Sequence, residues 1–321
     1  MLRLSDKLEN PRRLDQLLTR LVKETGQIPS LMIIKDVTRN GPNPVAGGGF
    51  ADVWGGMRGN MNVALKVLRI FGKGELNKHI LRAFCAEVLL WHRLHHSNVM
   101  PFLGVCVREF APRYALVSPW MENGHLLEYL RKHPLSDRRA LMLGIAKGME
   151  YLHSLKPAVV HGDLRSPNIL IDDDGQARIS DFGLARLFVS EGGPLTQTSS
   201  KVHGSPRWQA PELMYSERFS DIESGPTKSS DVYAFACVCI EIFTEKVPFS
   251  ELTDVQVIME VGFRDGRPPR PPQPAEERGL SDAVWSLIQD CWAVQPAERP
   301  SMTTVCARIQ DIIANQGSVN L

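Results

Sequence analysis

The chain has 321 residues, 43% of them hydrophobic, and a net charge of +1, which is enough apolar material for two cores. That charge balance gives no electrostatic footing for nucleic acid or an anionic membrane surface. Its nine histidines and six cysteines form no spaced metal-ligand cluster, and cysteines scattered in this way suit reduced thiols in a cytoplasmic protein. The longest apolar run, around 232–243, is too short for a bilayer and contains Glu241. MLRLSDKLENPRR lacks the uninterrupted apolar core of a secretory signal.

Residues 1–30 are expected to form a helical extension. Asn10-Pro11 is a helix start, and Leu14, Leu17, Leu18, Leu21 and Val22 make one apolar stripe that ends at Gly26 and Pro29. Such a helix packs on the following domain or contacts a partner, and the sequence leaves both open. From 31 to 118, LMIIKDV, ADVWGGM, MNVALKVL, FLGVCVRE and YALVS read as strands of a small antiparallel sheet. One helix interrupts them, RAFCAEVLLWHRLHH, with apolar residues at 84, 88, 91 and 94 around Glu87.

PWMENGHL (119–126) is a composition break. Beyond it the apolar period becomes helical, over 126–132, 136–154, 229–245, 254–262 and 281–293. GRPPRPPQP (266–274) is a proline-rich connection, read as a lower-domain loop or a ligand for proline-reading domains. The fold class is α+β, with a β-rich part at 31–118, a helical part at 119–312 and a tail at 313–321.

Several strings carry chemistry. HGDLRSPNIL (161–170) sets Asp163 and Asn168 five residues apart, and Asp181 in DFGLAR (181–186) follows thirteen later. VALK (63–66) ends an apolar strand in its one charge, Lys66. VAGGGFADVW (45–54) is a glycine-rich hairpin immediately before it. SPRWQAPE (205–212) and CWAVQPAERPSM (291–302) complete the series. In this order, over roughly residues 40–312, these motifs resemble protein kinases, and most closely the tyrosine-kinase-like group.

The resemblance implies a bilobal protein kinase fold, with a small β-rich lobe, a larger helical lobe, and a hinge at 119–126. It also implies ATP and Mg²⁺ as cofactors, Mn²⁺ being the alternative ion, and a protein substrate. Asp163 would orient the attacking hydroxyl and take its proton, while Asn168 and Asp181 hold the metal. Lys66, paired with Glu87, would fix the α- and β-phosphates. Val45, Gly47, Gly48, Gly49 and Phe50 would cover the nucleotide, with Ala46 and Ala51 standing at the outer two glycine positions of the motif. Val53, Ala64 and Leu170 would sandwich the purine. Ser118 is placed as gatekeeper, Pro119 supplies a carbonyl, Met121 an amide, and Glu128 reaches the ribose. Glu212 is expected to pair with Arg299, and Asp231 to cap the catalytic loop.

Two positions depart from the family pattern. Gly162 replaces the arginine that commonly reads a phosphate on the activation loop, so phosphorylation at Thr196, Thr198, Ser199 or Ser200 is not expected to be required. Arg165 stands where serine/threonine kinases usually place lysine, and supplies the charge as a bulkier planar fork. Ser205 matches the hydroxyl residue of the serine/threonine docking segment. The expected activity is therefore transfer of the γ-phosphate to serine or threonine in intracellular signalling. The alternatives are tyrosine or dual specificity, and a nucleotide-binding pseudokinase scaffold.

Overall fold

The computed structural model describes residues 28–47, 51–68, 84–85, 87–181, 205–219 and 225–317. The helix expected within 1–30, the hairpin tip at Gly48, Gly49 and Phe50, and the acceptors Thr196, Thr198, Ser199 and Ser200 lie outside these residues. The chain divides into two compact units. The first takes the described residues up to His95 together with Pro101–Trp120, and the second takes His96–Met100 and the described residues from Met121 onward.

The first unit is built on a seven-stranded sheet. Its strands are β1 (Ile33–Ile34), β2 (Val37–Arg39), β3 (Ala46–Gly47), β4 (Ala51–Arg58), β5 (Met61–Leu68), β6 (Gly104–Cys106) and β7 (Ala115–Pro119). They pair in the order β1-β6-β7-β5-β4-β2, with β3 added against β4. The sequence led to the expectation of an antiparallel sheet, and one pair departs from it. β1 runs parallel to β6, with Ile33 opposite Val105 and Ile34 opposite Cys106. No tight turn joins these two strands, so nothing forces the antiparallel sense that a hairpin imposes. LMIIKDV is also not one strand, because its start is used by a 3-10 turn over Ser30–Met32 closed by Met32 N–H on the Pro29 carbonyl.

The central strand shows how the sequence sets the faces. Val63, Leu65 and Val67 alternate inward and are fully buried, packed with Val37, Trp54, Phe110, Ala115 and Val117. Burying a side chain of this kind contributes about 1.5–3 kcal/mol. Ala64 and Lys66 fall on the opposite face. Helical residues at 84–85 and 87–92 (α1) bury Phe84, Cys85, Val88, Leu89 and Trp91.

The second unit contains α2 (Leu126–Lys132), α3 (Arg138–Ser154), α4 (Pro211–Met214), α5 (Lys228–Thr244), α6 (Asp254–Phe263), α7 (Asp282–Cys291) and α8 (Met302–Gly317). A two-stranded ladder joins β8 (Ile169–Ile171) to β9 (Ala177–Ile179). Helix α5 is the hub, since every residue from Ser230 to Phe243 is buried, the pattern of a helix enclosed on all sides. A capping box of Thr227 and Ser230 starts it. Helix α3 begins at Arg138 rather than 136 because the Asp137 carboxylate caps the amides of Arg139 and Ala140. Helix α8 runs to Gly317, past the boundary expected at 312, because no glycine or proline interrupts it earlier. All six cysteines are free and buried. No described helix is long and apolar enough to cross a membrane.

Candidate active site

In the first unit, strand register collects the expected nucleotide residues on one sheet face. Val53 lies opposite Lys66, and Ala64 opposite Ser118. Directly opposed residues share a face, so Val53, Ala64, Lys66 and Ser118 stand together, away from the Leu65 core. Ser118 is nearly buried. Val45 lies just before β3, where its amide donates to the Val53 carbonyl at 2.8 Å and it is 58% exposed, and Ala46 is the cross-strand partner of Val53. Gly47 pairs with Asp52. Pro119 ends β7 opposite Val63, and the next amide, of Trp120, donates to the Asn62 carbonyl. Glu87 is buried in α1.

In the second unit the segment from His161 to Asn168 is suspended from α5. The Asp231 carboxylate, itself 1% exposed, accepts the amides of His161 and Gly162 at 2.8 Å each and His153 Nε2 at 2.9 Å. Gly162 has φ 76, in the left-handed region that glycine enters without strain. His161 Nδ1 accepts the Asp163 amide at 3.2 Å while its Nε2 faces the Ser180 carbonyl at 3.0 Å. The ring is therefore the Nε2–H tautomer.

Asp163 is fixed from one side. Asn168 Nδ2 donates to the Asp163 carbonyl at 2.7 Å and to Oδ2 at 3.0 Å. Arg165 Nε stands 3.4 Å from the same Oδ2. Both contacts fall on one oxygen, and among the described residues no hydrogen bond or ion pair falls on Oδ1. Asn168 spends its amide hydrogens on Asp163, so its side-chain oxygen is left for a cation. Ser180 returns its amide at 2.9 Å and its hydroxyl at 3.1 Å to the Asn168 carbonyl, joining the end of β9 to the loop. The next residue, Asp181, holds φ 61, a strained conformation for a side chain other than glycine. An amide oxygen and a carboxylate form a hard donor set that fits Mg²⁺ or Mn²⁺.

Met121 accepts the Gly124 amide at 3.0 Å in a turn leading to α2, and Leu170 bridges to His125. Glu128 sits in the first turn of α2, bonded to Lys132 at 2.9 Å, a contact that holds its carboxyl below the usual range.

The segment 205–214 is also anchored to the second unit. Glu212 and Arg299 form a buried two-pronged ion pair at 2.6 and 2.7 Å. Arg207 donates to Asp254 and to the carbonyls of Pro248, Phe249 and Leu252. Ser205 precedes a 3-10 turn over Pro206–Trp208, its carbonyl accepting the Trp208 amide at 3.2 Å.

Sequence reasoning did not find Glu241. This fully buried glutamate of α5 accepts the Ser166 amide at 3.0 Å, the Ser166 hydroxyl at 2.5 Å and Trp208 Nε1 at 2.8 Å. Burial pushes its carboxyl up to about 7, against these hydrogen bonds and the nearby Arg165. The signal was present as one charge inside an apolar helical run, a residue type that is rarely buried without partners.

The family pattern described as protein tyrosine and serine/threonine kinase matches residues 42–309. Among curated proteins, the chain is 32% identical over 276 residues to the Arabidopsis thaliana serine/threonine-protein kinase CTR1, across 84% of this chain and 31% of that protein. It is 31% identical over 274 residues to the Arabidopsis thaliana serine/threonine/tyrosine-protein kinase HT1, across 84% of this chain and 65% of that protein. It is also 31% identical over 272 residues to the probable serine/threonine-protein kinase drkC of Dictyostelium discoideum, across 84% and 34%. The chain thus spans about a third of the length of two of these relatives and about two thirds of the other.

Proposed function

We propose that this chain, which belongs to the protein tyrosine and serine/threonine kinase family and within it to the tyrosine-kinase-like group, transfers the γ-phosphate of ATP to serine or threonine hydroxyls of a protein substrate. The observation that carries this reading is Asp163, whose Oδ2 is engaged by Asn168 and Arg165 while Oδ1 takes no bond from the described residues.

An acceptor hydroxyl at that oxygen gives its proton to Asp163 as its own oxygen bonds the γ-phosphorus. The bond from that phosphorus to the β-phosphate oxygen then breaks, releasing ADP. Arg165 supplies positive charge beside the reacting group. Lys66, set by Glu87, would hold the α- and β-phosphates. Asn168 and Asp181 would hold Mg²⁺, which when bound neutralises charge on the phosphates. Val53, Ala64 and Leu170 would flank the purine, Pro119 and Met121 would read its edge, and Ser205 would help seat the substrate.

A dual-specificity reading is favoured by Arg165 and by the serine/threonine/tyrosine name of one relative. A cytoplasmic setting suits six free, buried thiols. The apolar stripe of Leu14, Leu17, Leu18, Leu21 and Val22, expected from the sequence to be helical, is the proposed contact for a partner. The test is transfer from γ-labelled ATP to protein, where Lys66→Ala and Asp181→Asn should each remove nearly all incorporation. Wild type showing no more incorporation than these variants rejects the reading.

A further inference from the structure

We propose that Glu241 is a positioning residue for phosphotransfer, holding the substrate-docking segment and the catalytic loop in one register through a single buried carboxylate. The inference rests on the phosphotransfer reading above, and it concerns how that site is assembled rather than what it does.

The catalytic loop and the segment 205–214 are far apart in sequence, yet both end on the same two oxygens. Glu241 Oε1 accepts the Ser166 hydroxyl at 2.5 Å, and Oε2 accepts the Ser166 amide at 3.0 Å and the Trp208 indole N–H at 2.8 Å. All three side chains are buried, and the carboxylate is fully so. Ser166 lies between Arg165, which faces Asp163, and Asn168, which donates to it. Trp208 lies in the turn that follows Ser205, four residues before Glu212 and its Arg299 anchor.

A displacement of the docking turn therefore pulls on Trp208 and Glu241, and reaches the backbone between the two residues that fix Asp163. Buried hydrogen-bonded networks of this kind transmit position because leaving any member unpaired is costly. The pairs Asp231–His161 and Glu212–Arg299 each hold one of these segments to the helical unit. Glu241 bonds to both segments.

The experiment is a double-mutant cycle of Trp208→Phe and Ser166→Ala, read as kcat/KM for a peptide acceptor per mole of folded protein. Each change deletes one hydrogen bond to Glu241; Ser166→Ala keeps the backbone amide bond, and Trp208→Phe keeps an aromatic ring at that site. Each alone should lower the peptide kcat/KM about fivefold while the KM for ATP stays within twofold. Together they should fall short of the product of the single effects by at least threefold, the behaviour of residues that share one partner. Glu241→Ala should abolish that coupling. Glu241→Gln should restore at least a third of the peptide kcat/KM, because its amide oxygen can accept from Trp208 and the Ser166 amide while its NH₂ donates to the Ser166 hydroxyl.

Single effects that multiply within about 1.5-fold would overturn the proposal, as would losses that follow ATP KM or melting temperature alone. Either result with an active wild type leaves the phosphotransfer reading standing. An inactive wild type, indistinguishable from Asp181→Asn, overturns that reading and this one with it.

Discussion

Replacing Glu241 by glutamine should change stability in a pH-dependent way with a defined sign. Burial raises the Glu241 carboxyl from 4.5 to about 7 in the folded chain. Between those values the folded state holds a proton that the unfolded state has released, so this group's contribution to stability falls as pH rises through that window. Below 4.5 the carboxyl is neutral in both states and imposes no penalty. Above 7 it is charged in both, and the full cost of burying the charge applies. A shift of this size corresponds to roughly 3 kcal/mol, at about 1.4 kcal/mol for each pH unit. Glutamine does not titrate and keeps the hydrogen bonds to Ser166 and Trp208.

The melting temperature of Glu241→Gln relative to wild type should therefore climb between pH 4.5 and 7 and then level off. At about 2.1 cal/mol/K per residue, roughly 3 kcal/mol in a chain of this length corresponds to a relative rise of about 4–5 °C. Differential scanning fluorimetry of both proteins at pH 5, 6, 7 and 8 measures it, and titrations common to the two cancel in the difference. A difference that stays flat from pH 5 to 8 refutes the assignment of Glu241 as a buried titrating carboxyl.

Other outcomes follow from single sites. Arg299→Met leaves the Glu212 carboxylate buried without its partner and should cost about 3–5 kcal/mol in urea unfolding; a loss below 1 kcal/mol would mean water reaches the pair. Gly162→Ala forces a Cβ into φ 76 and should destabilise by about 1–2 kcal/mol, and an unchanged unfolding midpoint would contradict that backbone geometry. Ser118 faces Ala64 across the sheet, so ATP-competitive inhibitors with a bulky group there should bind wild type and lose at least about tenfold, or 1.4 kcal/mol, in Ser118→Met. Equal affinities would place the gatekeeper elsewhere.

What the sequence disclosed depended on the range of the interaction. The helices at 126–132 and 254–263 follow directly from apolar spacing, because burial of one face is a local pattern. Asp163 and Asn168 were legible for a similar reason, since their contact closes a loop of five residues. The parallel pairing of β1 with β6 was not, because no turn chemistry marks a partner 72 residues away (105 minus 33). Glu241 was noticed only as a charge that excludes a bilayer span. Its partners lie 75 and 33 residues away, and no periodicity connects them.

The central claim is that Asp163 serves as the base for phosphate transfer to serine and threonine. It is tested most directly by incorporation from γ-labelled ATP into a generic protein acceptor, comparing wild type with Asp163→Asn and identifying the labelled amino acid. Asparagine keeps the size of the side chain and its contact with Asn168 but cannot take the proton. The expected result is label on serine and threonine with wild type, and a rate at least about a hundredfold lower with Asp163→Asn. Equal rates for the two proteins, both above a blank without enzyme, would show that Asp163 is not the base.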